Sequence, residues 1–121
     1  MRVSIVCAAF MLATCAAQAA GDAKHGEEVF NRCGMCHNAI KGGGNGMGPN
    51  LFGVVGRKAA SLPDFFYSPA LKSSKLVWTE DNLKKWVMGP QKMVPGTRMS
   101  FAGITTQKDA EDVVAYLKTR K

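Results

Sequence analysis

The residues with the clearest chemistry are Cys33-Gly34-Met35-Cys36-His37. Two thiols separated by two residues and followed directly by an imidazole form the attachment signature of a c-type haem. The physical reason is reach. Within one turn of backbone the two thiols meet the two vinyl groups on one porphyrin edge, and the next residue falls beneath the iron. His37 then supplies a neutral ring nitrogen as axial ligand.

Two other readings of these residues are weaker. A zinc finger needs four ligands at set spacing, and the only other histidine, His25, lies upstream on the wrong side of the cysteine pair. A thioredoxin-like dithiol needs a β-α-β context, which the run Gly42-Gly43-Gly44-Asn45-Gly46 does not provide. That run cannot hold a helix without a large entropy loss, and no Lys-Ser/Thr pair follows to make it a phosphate cradle.

The elements that must position the motif are helical. Asp22 is placed to cap a first helix, with Glu27 and Glu28 early in it, and Gly26, Phe30 and Cys33 share one face at helical spacing. Phe30 reads as core and Gly26 as a point of close approach by another helix. Gly53 to Pro63 reads as turns. Thr79 caps a second helix running to Met88, with Leu83, Trp86 and Val87 as its apolar stripe and Gly89-Pro90 as its end. Trp86 is core on this pattern, whether or not it lines a cofactor. Pro90 to Met99, punctuated by Pro90 and Pro95, reads as a loop. Thr105 or Thr106 opens a last helix with Ala110, Val113, Val114 and Leu117 at core spacing, closed by Lys118, Arg120 and Lys121. The chain therefore reads as all-α, with three main helices plus short helices and loops wrapped around one covalent haem.

With 121 residues the chain holds one domain. Residues 1–19 read as a secretory signal peptide and 20–121 as the haem domain. Arg2 is the only charge of that leader, Val3 to Ala13 is its apolar stretch, and Ala17-Gln18-Ala19 fits cleavage after Ala19. An uncleaved anchor is a poorer reading given Thr14, Gln18 and the alanines. Leu12-Ala13-Thr14-Cys15 also resembles a lipobox, which would leave a lipidated Cys15. With the leader go Cys7 and Cys15; both remaining cysteines belong to the haem motif, so no disulfide is expected despite export to an oxidising compartment. The haem enlarges a core that about 100 residues make only modest.

The net charge of +7 loses only Arg2 with the leader. No aromatic-basic stacking run accompanies it, so no nucleic acid partner is expected. An acidic docking surface on a redox protein suits it better.

The order of motifs along the chain resembles class I cytochrome c, of the soluble bacterial cytochrome c2 and mitochondrial type. The residues that carry this are Gly26 with Phe30, Cys33 to His37, Gly48-Pro49-Asn50-Leu51, Gly56-Arg57-Lys58, Tyr67, Trp78, Pro95 to Met99, Phe101-Ala102-Gly103 and Tyr116-Leu117. The resemblance chooses among methionines. Spacing alone leaves Met35, Met47, Met88, Met93 and Met99, with Met93 and Met99 sharing one loop; the family pattern selects Met99 as the second axial ligand. A soft thioether favours reduced iron, so His/Met ligation raises the reduction potential and leaves no open position for substrate.

The resemblance also implies that the Pro49 carbonyl orients His37, that Arg57, Tyr67 and Trp78 hold the haem propionates, and that Thr97 and Trp86 line the distal side. It implies that Gly26 and Phe30 pack against Val113 and Tyr116. Three departures stand out. Leu71 occupies a position where the family often has asparagine, and Asn45 one where mitochondrial members have a loop-pinning histidine. The basic ring is thinner, with Arg32, Lys92 and Arg98 matching but Gln91, Thr105 and Thr106 uncharged.

The expected role is a periplasmic one-electron carrier, a monomer and not an enzyme, peripheral to a membrane at most. Its donors would be a bc1-type quinol oxidase or a dehydrogenase, and its acceptors a terminal oxidase, reaction centre or reductase. The alternatives are a haem enzyme such as a weak peroxidase, a gas sensor, or a tethered subunit of a larger complex. The first two need an open iron, which Met99 argues against. A c′-type sensor would carry its motif near the C-terminus.

Overall fold

The computed structural model describes residues 21–121; the expected leader lies outside the described residues. Among these residues five helices form: α1 (Ala23–Phe30), α2 (Pro69–Ser74), α3 (Glu80–Met88), α4 (Pro90–Met93) and α5 (Gln107–Lys118). Among the described residues the only β pairing is one isolated antiparallel bridge between Lys58 and Val77.

Each long helix begins where a side-chain oxygen satisfies backbone donors that the helix leaves free. The Asp22 carboxylate accepts from the amides of Lys24 and His25, the Thr79 hydroxyl from Asn82, and the Thr106 hydroxyl from Asp109. Apolar residues at three- and four-residue intervals then turn one face inward: Val29 and Phe30 on α1, Leu83, Trp86 and Val87 on α3, Ala110, Val113, Val114 and Leu117 on α5.

Two short helices depart from the expectation. α2 was not foreseen: Ser68 caps it through the Leu71 amide at 3.1 Å, and Pro69 sits in its first turn. It ends after one and a half turns because Lys75 enters the left-handed region at φ 55°. α4 occupies the start of the stretch expected as loop. Pro90 begins it, since proline lacks only a donor that a first helical position cannot use.

α1 and α5, the first and last helices of the described residues, cross, and α3 packs against α5. A Cβ on Gly26 would lie 1.9 Å from the Asp112 carbonyl oxygen and 2.9 Å from the Tyr116 Cβ, so only glycine permits this approach. One turn on, the rings of Phe30 and Tyr116 meet at 5.2 Å.

A buried acid locks the crossing. Asp112 is 2% exposed and accepts from the Asp22 amide at 2.8 Å, the His25 imidazole at 2.7 Å and the Lys108 ammonium at 2.5 Å. The Lys108 hydrogen bond, helped by those from Asp22 and His25, lowers its pKa to about 2 against the desolvation that opposes ionisation. Asp109 lies 3.9 Å from the same imidazole and 3.7 Å from Arg32. Three metal-ligating groups thus converge, but Lys108 and Arg32 already balance their charge, and the cluster is a structural clasp.

Candidate haem site

α1 stops at Phe30, and its last carbonyl is taken by the amides of Cys33 and Gly34 at 2.7 and 2.9 Å. The backbone turns again as the Cys36 and His37 amides return to the Cys33 carbonyl at 3.0 and 2.9 Å. Consecutive turns, rather than a continued helix, therefore present Cys33, Cys36 and His37 to one cavity of about 340 Å³. Burial pushes the Cys33 thiol up, with Arg32 opposing it.

His37 is held in one orientation. Its Nδ1 donates to the Pro49 carbonyl at 2.7 Å, which leaves Nε2 as the basic nitrogen. A Cβ on Gly48 would stand 2.3 Å from His37 Cε1, so the backbone lies against the ring with no room for a side chain. Desolvation lowers the imidazole pKa more than the Pro49 bond raises it, which favours the neutral form a metal requires.

The rest of the cavity comes from segments far apart in sequence. Leu71 of α2, Leu83, Trp86 and Val87 of α3, and Val113 and Leu117 of α5 give it apolar walls. Trp78 and Trp86 both face it and meet edge-to-face at 5.0 Å. The segment after α4 contributes Thr97, Arg98, Met99 and Phe101. Met93, the competing methionine, packs on the core but is not among the lining residues.

Nine of the ten residues expected at the site therefore meet at one cavity: Cys33, Cys36, His37, Pro49, Arg57, Trp78, Trp86, Thr97 and Met99. Tyr67 does not line it. Its hydroxyl accepts from the Leu62 amide at 3.4 Å, and its ring packs edge-on to Phe65, which does line the cavity. Tyr67 thus reaches the site only through Phe65, while burial of the Arg57 guanidinium at the cavity lowers its pKa. Arg57 donates to the carbonyls of Asn50 and Phe52 at 3.0 and 3.3 Å.

The departures also find their places. Leu71 is a buried apolar wall of the cavity. Asn45 pins its loop from both ends of its amide, accepting from the Asn50 amide at 2.8 Å and donating to the Asp64 carbonyl at 3.2 Å. Gln91, noted only as uncharged, braces the methionine segment by donating to the Thr97 carbonyl at 2.5 Å and reaching the Met99 carbonyl at 3.5 Å. No local pattern announces that role, because it depends on α4 turning Gln91 back over residues 97–99.

Two thiols, an imidazole with one nitrogen free, a thioether and a guanidinium around apolar walls are a donor set that fits haem c. A turn bearing that chemistry, gripped by the first and last of the described helices, places the protein among the small monohaem c-type cytochromes. The sequence model of the family described as "Cytochrome c" matches residues 23–121. Cytochrome c of Euglena viridis is 46% identical over 102 residues, covering 84% of this chain and 99% of that protein. Cytochrome c2 of Rhodomicrobium vannielii is 42% identical over 120 residues, covering 99% and 95%. Among solved structures, cytochrome cH from Methylobacterium extorquens superposes with a TM-score of 0.77 at 48% identity, over 82% of this chain and 99% of that one. The chain belongs to the cytochrome c family as a class I member with the all-α cytochrome c fold, and carries haem c through Cys33 and Cys36. Members of this family carry electrons.

Proposed function

We propose that the protein is a soluble one-electron carrier whose haem iron is held by His37 and Met99. The observation that carries this reading is the convergence of a tautomer-fixed imidazole and a methionine thioether on the cavity that holds both thiols. Haem c supplies the ferric–ferrous couple when bound. The chain's own part would be to ligate the iron through His37 and Met99, exclude water with apolar walls, and hold still. A thioether from Met99 would raise the potential by favouring the reduced state. Arg57 and Trp78, which line the cavity, would hold the haem propionates.

The docking face is the mouth of this cavity. The exposed cations Arg32 and Arg98 line it beside Met47, which is 83% exposed, and Lys92 follows on α4. Such a surface suits an acidic partner such as a bc1-type complex, an oxidase, a reaction centre or a reductase, at rates that fall with ionic strength. A periplasmic location, with a signal peptide cleaved after Ala19, is supported by the match to cytochrome c2 across nearly the whole chain. Among the described residues no helix is long and apolar enough to cross a membrane. Mass spectrometry of the mature N-terminus separates a free carrier starting at Ala20 from one tethered through Cys15.

Spectra of the air-oxidised and dithionite-reduced protein, with carbon monoxide added to the second, test the carrier reading. A low-spin spectrum in both states that carbon monoxide leaves unchanged is expected. Prompt carbon monoxide binding would instead favour a haem enzyme or a gas sensor.

A further inference from the structure

Phe66 is 74% exposed, and two cations lie over its ring. The Arg98 guanidinium lies 4.7 Å from the ring centroid and the Lys72 ammonium 5.1 Å from it. Phe66 belongs to the segment that enters α2, whereas Arg98 immediately precedes Met99. Phe66, Arg98 and Met99 all line the cavity. The contact therefore joins the segment entering α2, which also lines the cavity through Phe65 and Ser68, to the segment that delivers the thioether.

We propose that Phe66 is a positioning residue for Met99, acting through Arg98 as a cation–π clasp that holds the methionine segment closed. This rests on the His37/Met99 reading above. The segment has few other ties. Gln91 braces it from α4 through the Thr97 and Met99 carbonyls. On the α2 side, Gly96 passes so close to Ala70 that a Cβ there would lie 3.3 Å from the Ala70 Cβ. Beyond those, the Thr97 amide returns to Val94 at 3.1 Å and the Phe101 amide to Met99 at 3.1 Å, both within the segment itself. Phe66 thus supplies a cross-cavity attachment next to the ligand, and Lys72 keeps its ring attached to α2.

Imidazole binding to the ferric holoprotein reads this directly, because an exogenous ligand enters only when the thioether leaves. Phe66→Leu keeps an apolar side chain but removes the aromatic face. It is expected to bind imidazole roughly two- to fivefold more tightly, the factor that matches a cation–π contact at an exposed site. Phe66→Tyr retains the face and is expected to restore wild-type affinity. Arg98→Gln is expected to reproduce the Leu effect, and the double variant Phe66→Leu with Arg98→Gln to add nothing further. Affinity unaltered in Phe66→Leu, or effects that simply add, would overturn the clasp. The thioether-to-iron charge-transfer band keeps the two readings apart. Its absence from the wild type overturns Met99 ligation and the clasp together, whereas its presence with unaltered affinity in Phe66→Leu overturns the clasp alone.

Discussion

Replacing Gly26 by alanine sets two effects of opposite sign against each other, and the geometry decides between them. On helix propensity alone the change would stabilise α1 by about 1 kcal/mol. The added methyl, however, would lie 1.9 Å from the Asp112 carbonyl oxygen, 2.5 Å from its carbon and 2.9 Å from the Tyr116 Cβ. Ordinary contact begins near 3.4 Å, so α1 and α5 must separate by about 1.5 Å, and neither obstacle on α5 is a flexible side-chain end. Overpacking of this kind costs about 1–3 kcal/mol. Separation also weakens the Phe30–Tyr116 pair, about 0.5–1.5 kcal/mol, and stretches the Asp112 bonds to Asp22 and His25, each about 1 kcal/mol. The net expectation is a loss of about 2–4 kcal/mol, which for about 100 residues lowers the unfolding midpoint by roughly 10–25 °C. Guanidinium titration of the ferric holoprotein, followed by circular dichroism with the slope held constant, measures it. A variant as stable as the wild type, or more so, would refute the close crossing of the terminal helices.

Other outcomes follow from single residues. Asp112 has a folded-state pKa of about 2 against an ordinary 3.8, so in that window the unfolded chain binds more protons. Its contribution is fully present above pH 3.8 and is lost as pH falls through about 2; unfolding free energies of Asp112→Asn from urea titrations should lack that acid-dependent step and be lower at neutral pH by about 1–3 kcal/mol. Ala60 holds φ 57°, where a Cβ is strained, so Ala60→Gly should stabilise by about 0.5 kcal/mol after the entropy of the new glycine is subtracted. Lys92→Ala should move the alkaline loss of methionine ligation to higher pH, because Lys92 is the one lysine between Pro90 and Gly103 and a guanidinium cannot take the iron in its place; an unchanged midpoint in an optical pH titration would assign the replacing ligand elsewhere.

What the sequence shows of this protein follows how local each signal is. α1, α3 and α5 were readable because a capping oxygen and a 3.6-residue stripe lie within one window, as at Thr79 with Leu83, Trp86 and Val87. α2 and α4 were not, because six and four residues rich in serine, lysine and proline carry no stripe; they are ordered by neighbours, with Leu71 buried in the cavity wall. At the site, Cys33, Cys36 and His37 announce themselves in five residues. Met99 is different: spacing leaves it level with Met93, the family resemblance favours it, and the fold then places Met99 but not Met93 in the cavity lining. The Asp112 clasp joins residues 87 apart and the Arg98–Phe66 contact joins a loop to a helix entry, so neither has a local pattern to read.

If Met99 completes the iron coordination, its loss should turn the carrier into an open haem protein. Spectroelectrochemical titration of Met99→Ala, beside the wild type and Met93→Ala, measures this. A lowered potential and ready binding of exogenous ligands are expected in Met99→Ala, with Met93→Ala close to wild type. An unchanged potential and a six-coordinate low-spin spectrum in Met99→Ala would contradict Met99 ligation.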